Sequence, residues 1–141
     1  MLASKLPVTA RARTRVAFRI HTALREMGAG RAGVQEFRDL CDAVNVIEVL
    51  CDMGKLPGTG LRATVRTAQM GMEQAAERIR ADGRSGVNPE QFEALRAIVA
   101  AYDEAMGRFS GETMERASAE VTARIIEQTR NPANGVEVVD L

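Results

Sequence analysis

The sequence predicts an all-α fold, an antiparallel up-down bundle of four to five helices. Three observations predict it. Apolar residues recur at three- and four-residue spacing along every long segment, and nothing shows the period-two alternation of an exposed strand. Gly/Pro-dense stretches, GAGRAG (28–33), GKLPGTG (54–60) and DGRSGVNP (82–89), cut the chain into segments of similar length, and short loops between such helices make neighbours antiparallel. Aromatics are few: Phe18, Phe37, Phe92, Phe109 and Tyr102, with no Trp. The core is therefore built from Ala, Val, Leu, Ile and Met, small or flexible side chains that suit close helix packing. At 141 residues the chain is long enough to bury one core without staples. We read 1–130 as that single domain and 131–141 as a tail, extended or disordered.

The first helix covers about 9–27. Val16, Ile20, Ala23, Leu24 and Met27 share one face, while Arg11, Arg15, Arg19 and Arg25 project to the other, with Phe18 among them. The second, 33–53, starts with the stripe Phe37, Leu40, Cys41, Val44 and Ile47, then turns apolar on nearly every side through VIEVLCDM. A helix apolar all round is a buried one, so this is the expected centre of the bundle. Gly54 fits the C′ position that ends it, and Thr59 could cap the third helix. That helix, 61–81, has a narrow, Ala-rich stripe, with Met70 on the opposite polar face. The fourth, 89–109, has the clearest start: Asn88 as N-cap, Pro89 at N1 and Gln91 at N3. The fifth, 111–130, follows a Ser110 cap, and NPANG closes it.

The motifs of chemistry are weak. There is a single histidine, His21, read as a solvated side chain on a polar flank. No HxxxH, HExxH or CxxC spacing supports zinc. GKLPGTG lacks the GxxxxGK[ST] spacing and the preceding strand of a phosphate-binding loop. Ten residues apart on one helix, Cys41 and Cys51 are separated by ~15 Å. A disulfide needs Cα atoms within roughly 7 Å, so both are expected as free thiols. Free thiols, an N-terminus without a secretory apolar region, and no apolar run near ~20 residues imply cytoplasmic residence and no membrane span. No catalytic residue, cofactor or metal is expected.

Glu48 is the most interesting carboxylate. Its projection sets it on the buried stripe of the second helix, where a carboxylate must be paired or protonated. Arg62 or Arg96 of a neighbouring helix are the expected partners, with a functional acid in a cleft the sharper alternative.

Charge is the feature that points outward. Lys5, Arg11, Arg13, Arg15, Arg19 and Arg25 give the first 25 residues six cations and no acid, and the rest holds thirteen cations against nineteen acids. A net charge of zero thus conceals a dipole. The basic face could pair with Glu36, Asp39 and Asp42 of the second helix, track phosphates, or meet a protein partner. Phe18 among these arginines could be covered by their stems, by the VEVVDL tail, or by a partner chain. The candidate interaction surface is Arg11, Arg15, Phe18, Arg19 and Arg25.

The end of the second helix, AVNVIEVLCDMG, followed by a Pro/Gly loop and an Ala/Met helix with Ala68-Gln69, resembles small uncharacterised α-helical proteins of proteobacterial prophages and mobile elements. The resemblance spans about 15–127 and implies no activity. The reading that follows is a small non-enzymatic binding or adaptor protein of a bacterium or its mobile element, its partner another protein or a second copy (a homo-oligomer). The alternative is a nucleic-acid-binding regulator acting through the basic first helix.

Overall fold

The structure, a computed structural model, describes residues 10–131. It contains five helices: α1 (Ala10–Gly28), α2 (Val34–Asp52), α3 (Thr59–Asp82), α4 (Pro89–Arg108) and α5 (Gly111–Arg130). Their ends follow local chemistry. Gly54, at φ +73°, closes α2, and Gly83, at φ +83°, closes α3; both need the left-handed conformation that glycine tolerates. Gly58, at φ +122°, occupies the N-cap of α3, so the helix starts one residue earlier than a Thr59 cap would place it. Glu36 Oε1 accepts from the Gly33 N–H at 3.0 Å, the one half of a capping box that a glycine N-cap permits.

At α4 the box is complete: Asn88 Oδ1 accepts from the Gln91 N–H at 2.7 Å, and Gln91 Oε1 accepts from the Asn88 N–H at 3.1 Å. Asn88→Ala should therefore cost about 1 kcal/mol, readable as a lowered thermal midpoint with unchanged helical content. Ser110 caps α5 through the Thr113 N–H at 3.2 Å.

The centre is α2. It packs against α1, α3, α4 and α5, and Val46, Val49, Leu50 and Cys51 are buried beside the earlier stripe. The hydrophobicity of VIEVLCDM has this cause: a helix with neighbours on every side has no face left for water. α1 and α3 each pack on α2 and α4, so α2 and α4 stand between them. α5 differs, since it packs chiefly on α2 and, among the described residues, buries only Met114, Ala117 and Val121.

One connection escapes sequence periodicity. The Ala32 and Ser85 backbones exchange hydrogen bonds of 3.0 and 2.9 Å, an isolated antiparallel bridge that ties the α1–α2 loop to the α3–α4 loop. Gly86 sits tightly there, because a Cβ on it would lie 2.8 Å from the Met27 carbonyl oxygen. Cys41 and Cys51 are buried on α2 and not joined in a disulfide, and burial pushes the Cys51 thiol up. From residue 132 the tail, VEVVDL included, lies outside the described residues, as does Lys5. No helix among the described residues is long and apolar enough to cross a membrane.

Candidate functional site

α1 faces the bundle with Ile20, Ala23 and Met27, all buried. Its other side is solvent-exposed at Arg11, Arg15, Arg19 and Arg25. Phe18 shares that side and is 73% exposed, the largest exposure of any large apolar side chain among the described residues. At ~100° per residue, Arg25, Phe18, Arg11, Thr22 and Arg15 follow one another around the helix, so the ring stands inside a basic rim. The guanidiniums do not cover it. The one cation–π contact among the described residues is Arg108 over Phe109, at 5.4 Å.

Glu36 and Asp39 of α2 do not neutralise the rim. Glu36 pairs with Arg84 at 3.6 Å, and Asp39 accepts from Gln35 within its own helix at 3.1 Å. Of the three acids expected to pair with the basic face, Glu36 and Asp39 are therefore engaged elsewhere, while Asp42 lies near Tyr102, on which Arg19 also acts. Arg25 reaches Glu26 at 3.7 Å, and Glu26 is held chiefly by Arg31 at 2.9 Å, whose hydrogen bond keeps that carboxyl below the usual range. Arg11 and Arg15 form no ion pair among the described residues.

Beside this face, α1 and α4 leave a cleft of about 510 Å³. Ala17 and Gly107 line it, both too small to close the gap, and the Arg13 guanidinium lies against Gly107. Next to it His21 Nε2 lies 2.6 Å from Asp103 Oδ2, with the imidazole about half exposed. The histidine thus has a carboxylate partner that sequence reading missed, because the two residues lie 82 positions apart. Tyr102 lines the same cleft; burial, then the nearby Asp42 carboxylate, pushes its phenol up.

Glu48 is largely buried, its side chain 15% exposed, but its partners differ from those expected. Gln69 Nε2 of α3 donates to Glu48 Oε2 at 2.7 Å, and Arg124 of α5 approaches Oε1 at 3.7 Å. Arg62 pairs with Asp52 at 2.7 Å, and Arg96 with Glu93 at 3.0 Å on its own helix. Arg124 also donates to Asp52 at 2.8 Å and to Glu120 at 3.1 Å. One guanidinium thus gathers two carboxylates one turn apart on α2 and one on its own helix. This arrangement clamps α5 to α2. Among the described residues no cluster of three or more His, Cys, Asp or Glu side chains could hold a metal ion.

No known family model, no curated protein and no solved structure matches the chain.

Proposed function

We propose that this chain is a small non-enzymatic binding or adaptor protein of a bacterium or its mobile element, and that the outer face of α1 is its contact surface. One observation carries the reading: Phe18 is 73% exposed in the middle of an arginine rim. An exposed phenyl ring gains nothing from water, whereas a central aromatic anchor with a charged rim is the usual anatomy of a protein interface. The rim selects the partner's charge. Arg11 and Arg15, without ion pairs among the described residues, favour an acidic surface and speed encounter with one.

The same arginines would track phosphates in the alternative reading, a nucleic-acid-binding regulator. The ring separates the two. Phosphate contacts need the cations but not Phe18, whereas a protein interface needs both. Phe18→Ala should leave the circular dichroism spectrum and thermal midpoint nearly unchanged and reduce capture of a protein partner from nuclease-treated host extract about tenfold or more. If nuclease abolishes capture by the parent chain, or if Phe18→Ala captures as well as the parent, α1 is not a protein-binding face.

A further inference from the structure

We propose that the partner of the α1 face is a second copy of this chain, with Phe18 of one copy entering the cleft between α3 and α4 of the other. This rests on the reading of α1 as a contact surface and adds the identity of what covers it.

The α3–α4 cleft has a volume of about 320 Å³. Thr64 and Thr67 of α3 and Ala94 and Ala97 of α4 line it, with Glu90 and Glu93 on its rim. None of these side chains is long and apolar, so a groove lies where two helices pack through small residues. Met70 stands one turn from Thr67 on the outside of α3 and is 52% exposed, second only to Phe18. The two most exposed large apolar side chains among the described residues thus belong to two surfaces of opposite charge. One is an aromatic ring in an arginine rim. The other is a small-residue groove with a thioether at its side and glutamates on its rim.

The two surfaces complement each other in each respect. The ring is a knob and the cleft a shallow, open groove of small side chains, and a thioether beside a phenyl ring is a favourable contact. Arg11 and Arg15 lack ion pairs among the described residues, and so does Glu90. Glu93 holds only Arg96, on its own exposed turn at 3.0 Å, a pair of little worth in water that an incoming arginine can replace.

Other arrangements of two copies fit less well. Packing α1 against α1 about a two-fold axis would set arginine rim against arginine rim, which like-charge repulsion opposes. Nor does the ring reach the cleft of its own chain: Phe18 stands exposed on the outer side of α1 and is not among the residues that line the α3–α4 cleft. The contact therefore joins two different patches. It gives either an isologous dimer, if two such contacts close on a two-fold axis, or a heterologous head-to-tail assembly.

The test uses charge reversal on the full chain, read by sedimentation velocity over a range of protein concentrations. One variant carries Arg11→Glu and Arg15→Glu; the other carries Glu90→Arg and Glu93→Arg. All four positions are exposed, and circular dichroism verifies each fold. The parent chain should assemble. Each variant alone should associate at least ~100-fold more weakly, since each sets like charges together. An equimolar mixture should assemble again, because each reversed surface then meets its opposite. Phe18→Ala should give the same loss without any change of charge. A parent that stays monomeric at high concentration overturns the proposal, as does a cleft variant that assembles like the parent, a mixture that stays dissociated, or assembly that vanishes on nuclease treatment. A monomeric parent whose partner capture still depends on Phe18 would overturn the second copy while leaving α1 as the contact surface.

Discussion

Replacing Leu50 with alanine should lower the unfolding free energy by about 2–5 kcal/mol, enough to unfold a marginal domain of this size at moderate temperature. Leu50 is fully buried near the C-terminal end of α2, the helix against which the other four pack. A cavity there borders several helices, each held by its other contacts, so the site cannot collapse to fill it. The same chemistry at the periphery should cost less. Ile125 lies on α5, is only partly buried and has α2 as its helix's main packing neighbour. Ile125→Ala leaves a hollow that water can enter and that α5 can shift to close. Urea denaturation followed by helical circular dichroism measures both. A cost at Ile125 equal to that at Leu50 would refute the central position of α2.

The central place of α2 is legible in the sequence for a physical reason. Its first half shows one apolar stripe, and Val46, Val49 and Leu50 then fill the remaining sides; only a helix enclosed by neighbours tolerates that pattern. The same periodicity placed Phe18 and Met70 outside the core, and both are exposed. Capping chemistry located the start of α4 to the residue, because Asn88, Pro89 and Gln91 each meet a distinct need of a helix N-terminus.

Pairing between helices was not legible. Periodicity gives the side of a helix on which a residue lies, and the azimuth of Glu48 follows from that. It does not say which neighbour covers that side. Arg62 and Arg96 were plausible partners on charge alone, yet Gln69 and Arg124 hold Glu48. Gln69 is a neutral amide in a run of alanines and methionines, and only its burial shows that it has a task. The Asp103 partner of His21 was hidden for the same reason, as was the bridge between Ala32 and Ser85, which involves backbone atoms and leaves no side-chain signature.

Arg124→Ala should loosen α5 by about 1–2 kcal/mol near neutral pH, less than a fully buried pair because water reaches the guanidinium. α5 buries three residues, so the clamp is a large share of what holds it. Without Arg124, Glu48 keeps Gln69 and Asp52 keeps Arg62, but the two carboxylates face α5 with no shared cation. The loss should depend on pH in a definite sense. Burial pushes the Asp52 carboxyl up, but hydrogen bonds from Arg62 and Arg124 outweigh it and hold that carboxyl below its ordinary value. A carboxyl depressed in the folded state contributes stability that is present above its unfolded value of about 3.9. That stability is lost as pH falls through the folded value. Removing one donor brings the folded value back toward the unfolded one, so the variant has less to lose in acid. Parent and variant should therefore differ by a constant amount around neutrality and converge below about pH 4. Urea unfolding at neutral and acidic pH, with hydrogen exchange along 111–130 as the local readout, measures both parts. If exchange in α5 is unchanged by the substitution, or if the stability gap persists undiminished into acid, the carboxylates gathered by Arg124 are not what fastens α5 to α2.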